Sequence, residues 1–179
     1  MIELHIVLGS MFSSKTTYLL NKLSSYKAVG LKTVFINHSF DTRCDENKTK
    51  THSGLIRNCI KTNKLMSVVT NPVFKDADVI AIDEAQFFNS LYSFICHIEK
   101  CNKIVYIGGL DGCSNREPFG EILKIIPLSN TITKLHSLCK ECKDGTPGIF
   151  TKKMNENKKK IDIGADDKYI AVCRKCYFK

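Results

Sequence analysis

One stretch, VLGSMFSSKTTYLLNKL from Val7 to Leu23, constrains the fold more than any other part of the chain. An apolar, β-branched run, IELHIVL, stops at Gly9. Beyond it Leu19, Leu23 and Tyr26 recur at helical spacing, and Gly30 supplies a stop. The order strand, tight loop, helix is that of a βα unit. The loop approaches the pattern GxxxxGK[ST]: Gly9, Lys15 and Thr16 are in place, and Ser14 stands where the second glycine belongs. Such a loop turns successive backbone N–H groups into one concavity at the positive end of a helix dipole. Lysine adds a charge for the β- and γ-phosphates, and the next hydroxyl serves magnesium. Gly9, Ser10, Met11, Phe12, Ser13, Ser14, Lys15 and Thr16 are therefore candidate nucleotide-binding residues. If position 14 needs a positive φ, serine costs on the order of 1 kcal/mol relative to glycine, which weakens nucleotide binding without abolishing it. The competing reading is a serine-rich turn in which Ser13 or Ser14 caps the helix.

Further apolar runs, KTVFINH, SVVT, DVIAID and KIVYIGGL, read as strands. LYSFICHI places Leu91, Phe94, Ile95 and Ile98 on one helical face, and SFDTRCDENKTKTH has no period and reads as loop. Strands alternating with helices predict an α/β fold with a parallel sheet. After about His136 the chain becomes rich in Cys, Gly and Lys, with no helical period. We expect a nucleotide-binding domain over 1–138 and a small domain over 139–179. With 179 residues, 43% of them hydrophobic, there is enough apolar material for such a core. No apolar run approaches the roughly 20 residues of a membrane-spanning helix, and MIELHIVLGS has no basic leader, so a cytoplasmic protein is expected.

VIAIDEAQFF ends a buried strand with Asp83 and Glu84. In a doubly wound sheet ligands sit at the carboxyl ends of strands, so this acidic pair and the loop after Gly9 should converge. Asp83 would hold magnesium. Glu84 could take a proton from an attacking hydroxyl. The alternative is a pair of acids matched to a helix dipole. Two other strand ends carry Asp41 with Arg43, and Asp111. Arg43 could bridge phosphates.

Of nine cysteines, Cys139 and Cys142 form one CxxC and Cys173 and Cys176 another, with 30 residues between the pairs. Two such knuckles make a four-thiolate zinc site. A redox CxxC would expect a thioredoxin-like strand order, which is not seen. The formal charge of +9 suits an anionic partner without choosing one.

Taken in order, GSMFSSKTTYLL, DTR, IDEAQFF, LDG with PFGEIL, and GADDKY with AVCRKCYFK resemble the type II thymidine kinases of animal cytosol, bacteria and large DNA viruses. The resemblance covers nearly the whole chain. It implies a RecA-like P-loop core with a mostly parallel sheet, and a small zinc-ribbon-like domain carrying a substrate-covering lasso loop. The implied reaction moves the ATP γ-phosphate to the 5′-hydroxyl of thymidine, in a homotetramer inhibited by dTTP. It casts Glu84 as the base, and Lys15, Thr16, Asp83, Arg43, Asp41 and Gln86 as the phosphate and magnesium set. Met11, Phe87, Leu110, Ser114 and Phe119 would line the thymine pocket. Lys160, Ile161, Asp162, Ile163 and Gly164 would be the lasso segment, Tyr169 would hold the sugar, and Thr151 would match a family threonine near the base.

The chain departs from the family at Ser14, at Cys113 and Ser114 where threonine and phenylalanine are usual, and in GADDKY, which has an acid where the family tends toward a small apolar residue. Loss of an aromatic at position 114 removes a stacking partner worth about 1 kcal/mol. Two rivals stand beside the kinase. One is a P-loop ATPase acting on nucleic acid, although the basic residues cluster in TKKMNENKKK and lack interleaved aromatics. The other is a non-catalytic nucleotide binder, which would have no need of Glu84. No nucleic-acid or membrane partner is expected.

Overall fold

The computed structural model describes residues 1–41, 48–50, 56–154 and 168–179. Strand β1 (Glu3–Gly9) leads through the loop to helix α1 (Lys15–Ala28), then β2 (Thr33–His38). A hairpin of β3 (Lys48–Lys50) and β4 (Ile56–Asn58) precedes β5 (Ile60–Thr62) and the short helix α2 (Pro72–Asp76). Strand β6 (Val79–Ile82), helix α3 (Leu91–Ile98), β7 (Ile104–Gly109) and β8 (Thr131–Leu135) complete the main body.

Six strands form one sheet in the order β5-β2-β6-β7-β1-β8, and every described pairing in it is parallel. Register runs Leu4 opposite Val105 and Ile80 opposite Val105, with Val34 opposite Ile80. The alternation of side chains across the pleat sorts the core into two layers. Leu4, Ile6, Ile36, Ile80, Ile82 and Ile107 face α3, whose Leu91, Phe94, Ile95 and Ile98 are fully buried against them. Val7, Phe35, Val79, Ala81 and Tyr106 face Leu19, Leu20 and Leu23 of α1. Covering both faces is what allows the strands to be apolar throughout.

Helix α1 ends as its sequence requires. Gly30 at φ 88° lets its N–H reach Lys27 O, and the Leu31 N–H reach Tyr26 O, which satisfies the last carbonyls.

Two expectations are corrected. SVVT is no strand: Leu65–Thr70 is a 3₁₀ turn, because Leu65 and Val68, three apart, bury together. The polar stretch after His38 is not all loop, since Lys48–Lys50 pairs antiparallel with Ile56–Asn58.

Residues 137–154 and 168–179 build a smaller unit. β9 (Ser137–Leu138) pairs with β10 (Pro147–Gly148), and β11 (Phe150–Lys153) pairs with β12 (Tyr169–Val172), followed by the single turn α4 (Arg174–Tyr177). Its core is Cys139, Ile170, Val172, Cys173 and Cys176. No described helix is long and apolar enough to cross a membrane.

Candidate active site

The carboxyl ends of β1, β2, β6 and β7 gather the candidate residues at one edge of the sheet. At the end of β1, Gly9 has φ 155°, and a Cβ there would collide with the Leu135 carbonyl oxygen. The loop then turns through Phe12 at φ 64° and Ser14 at φ 62°, both left-handed. Ser14 sits at the N-cap of α1 but makes no side-chain cap. The Ser13 hydroxyl donates to Ser10 O at 2.8 Å, so neither serine caps the helix. Lys15 is almost fully buried, and its ammonium donates to Ser10 O at 2.7 Å and to Ser13 Oγ at 3.4 Å. A lysine folded inside its own loop is placed to meet a phosphate entering the concavity.

The second half of the site comes from the end of β6. The Thr16 hydroxyl donates to Asp83 Oδ2 at 2.5 Å, across 67 positions of sequence. Asp83 Oδ1 accepts the Glu84 N–H at 2.9 Å. Burial, with the charge of Glu84 adding to it, pushes the Asp83 carboxyl up to about 6, while Thr16, the Glu84 N–H and the Lys15 ammonium pull it back. The charges of Lys15 and Glu84 both act on this buried carboxylate. Glu84 has φ 52°, a left-handed backbone, and is half-buried. Gln86 donates to Glu84 Oε2 at 2.7 Å and accepts the Leu110 N–H at 3.0 Å. It therefore ties the end of β6 to the end of β7.

Next to this lies an aromatic wall. The Phe87 ring meets Phe119 edge-on at 5.4 Å and Phe40 edge-on at 5.6 Å. His38, the last residue of β2, packs among Phe40, Phe87 and Phe88. Burial lowers its pKa against the opposing pull of Glu84. Its Nδ1 accepts the Phe40 N–H at 3.1 Å, which leaves the proton of the neutral ring on Nε2. Sequence reasoning assigned His38 nothing; its position at the end of a buried strand was the available signal. Asp41 accepts from Asn37 Nδ2 at 2.7 Å on the same side.

The small unit reaches the phosphate loop directly. Ser10 Oγ donates to Gly148 O at 2.9 Å, and the Met11 N–H donates to Thr151 Oγ1 at 3.0 Å. Phe12 and Tyr169 share a cavity of 230 Å³ with Ser137, Leu138, Lys140, Ile170 and Ala171. Ser114 is found against the small unit, its carbonyl accepting the Tyr177 hydroxyl at 2.7 Å. Arg43 and the segment 160–164 lie outside the described residues.

The thiols of Cys139, Cys142, Cys173 and Cys176 converge, all four sulfurs lying within 4.8 Å of one another. Cys142 Sγ is 3.8 Å from Cys173 Sγ and 3.5 Å from Cys176 Sγ. A tetrahedral zinc with bonds of about 2.3 Å needs sulfurs about 3.8 Å apart, so the set fits that ion.

A parallel sheet with a lysine-bearing loop after its first strand and a strand-end acidic pair at its carboxyl edge is the arrangement that nucleotide-binding α/β proteins use. The thymidine kinase family model matches residues 2–177. Thymidine kinase of Fowlpox virus is 36% identical over 98% of this chain and 97% of its own length. That of Choristoneura biennis entomopoxvirus is 39% identical over 98% and 96%, and thymidine kinase a of Arabidopsis thaliana 38% over 97% and 74%. The chain belongs to the thymidine kinase family, and is a kinase.

Proposed function

We propose that this protein transfers the γ-phosphate of ATP to the 5′-hydroxyl of thymidine, giving dTMP. The family supplies the substrate class. The carrying observation is the chain of contacts from Thr16 through Asp83 to Glu84, which sets a phosphate-binding loop beside a carboxylate.

In this reading the loop from Gly9 to Thr16 binds the triphosphate, with Lys15 neutralising charge on the β- and γ-oxygens. Magnesium fits the Thr16 hydroxyl and Asp83 carboxylate, both oxygen donors; when bound it would neutralise developing phosphate charge. Glu84 accepts the 5′-hydroxyl proton, and Gln86 holds that carboxylate in place. Phe87, Phe119, Leu110 and Met11 form the walls for thymine, and Tyr169 and residues 160–164 bind the nucleoside, a role that rests on the family resemblance. Arg43 and Asp41 assist at the phosphates. The four cysteines hold a structural zinc, and residues 139–179 act as a domain set against 1–138. A cytoplasmic homotetramer inhibited by dTTP completes the reading, supported by the family resemblance.

Thymidine-dependent ADP release by the purified chain tests it. Turnover with thymidine and none on adding DNA supports the kinase. Release stimulated by DNA alone, or nucleotide bound without turnover, defeats it.

A further inference from the structure

We propose that Arg116 is a positioning residue that clamps the four-cysteine unit onto the hairpin bearing Leu110 and Phe119, and so sets the nucleoside pocket. The inference rests on the thymidine kinase reading above and adds to it a residue that touches no substrate.

The hairpin is narrow. Gly112 bridges Pro118, the Cys113 N–H donates to Glu117 O at 2.9 Å, and the Arg116 N–H donates to Cys113 O at 2.9 Å. At its tip Arg116 adopts φ 64°, a left-handed conformation that a long side chain rarely takes. That geometry carries the guanidinium to 4.6 Å from the Tyr177 ring centre, 4.5 Å from Phe178 and 5.8 Å from Phe150. All three rings belong to the four-cysteine unit, and Tyr177 follows the zinc-fitting Cys176 directly. Among the described residues Arg116 makes no ion pair, so ring faces are what hold it, as a planar cation favours. A second tie lies beside it: the Tyr177 hydroxyl donates to Ser114 O at 2.7 Å.

The other end of the hairpin is fixed to the site. The Phe119 N–H donates to Asp111 O at 3.3 Å, the Phe119 ring packs edge-on against Phe87, and Leu110 is held by Gln86. A nine-residue span from Asp111 to Phe119 thus joins the aromatic wall to the cysteine unit. Freeing the tip lets Leu110 and Phe119 drift, while the phosphate loop keeps its own anchors at Gly148 and Thr151. The clamp therefore acts on the nucleoside side and spares the ATP side.

The test compares zinc-loaded full chains carrying Arg116→Ala, Arg116→Lys and Tyr177→Phe with the unaltered protein. Zinc content, KM for thymidine, KM for ATP and amide hydrogen exchange over 110–119 are read for each. Arg116→Ala is expected to raise the thymidine KM about tenfold and hairpin exchange at least tenfold, with the ATP KM within twofold and zinc retained. Arg116→Lys keeps the charge without the planar face and falls between. Tyr177→Phe keeps the ring, loses the hydroxyl, and moves the same readouts by less. Unchanged exchange and KM in all three overturn the clamp, as does an equal rise in both KM values with loss of zinc. If the unaltered protein does not turn over thymidine, the function reading fails, and hairpin exchange alone still decides for or against the clamp.

Discussion

Ser14 holds the left-handed backbone, φ 62°, that the missing glycine would take without strain. We expect Ser14→Gly to raise the Tm by about 2–4 °C, from relief of about 1 kcal/mol. Calorimetry measures it, and ATP affinity should change less than tenfold. Asp83 shows a strain of another kind. Its folded pKa, about 6, lies above its ordinary 3.8 because the group is buried beside Glu84. The folded chain therefore binds more protons than the unfolded one between about pH 4 and 6. This group's contribution to stability is lost as pH rises through that window, and its cost is complete above it. Metal-free Asp83→Asn should gain stability over the unaltered protein at pH 7.5, on the order of 2 kcal/mol, and little at pH 4. Urea titrations at the two pH values check this; an equal gain at both would refute the assignment. If Asp83 holds magnesium as proposed, the same substitution should also cost most of the activity.

At the scale of elements, the four-cysteine unit is the part whose loss should spread furthest. Burial raises the Cys139 thiol but backbone N–H groups outweigh it and bring it down to about 6, while contacts with the other three sulfurs push Cys142 up to about 12. A zinc ion at this set would hold all four as thiolates. Cys176→Ser should abolish one zinc per chain, measured by atomic absorption, and weaken both ATP and thymidine, since Gly148 and Thr151 lose their hold on the phosphate loop. At position 114 the substitution Ser114→Phe should lower the thymidine KM if the ring enters the pocket; an unchanged KM would show that the hairpin aims it at Tyr177 instead. These elements were unequally legible. The βα unit from Val7 to Ala28, the strand ending at Asp83, the amphipathic Leu91–Ile98 and the paired CxxC motifs follow from local period and spacing. SVVT misleads because an apolar run too short to show a period suits strand and 3₁₀ turn alike. The bonds from Ser10 to Gly148 and from Ser114 to Tyr177 span 138 and 63 positions, and no local pattern encodes them.

For the whole molecule, the parallel sheet matters because it sends the ends of β1, β2, β6 and β7 to one edge, where loop, acids and aromatics meet. Strand order does this, and strand order was not written in any single segment. The central claim is that Glu84 performs proton transfer in a site that Lys15 and Asp83 prepare for a triphosphate. The most direct measurement is thymidine-dependent ADP release by Glu84→Gln beside the unaltered chain, with ATP affinity determined for both. The account predicts turnover slowed by about 10²–10⁴-fold with ATP binding within a few-fold. Full activity in Glu84→Gln, or activity lost only because ATP no longer binds, would contradict it.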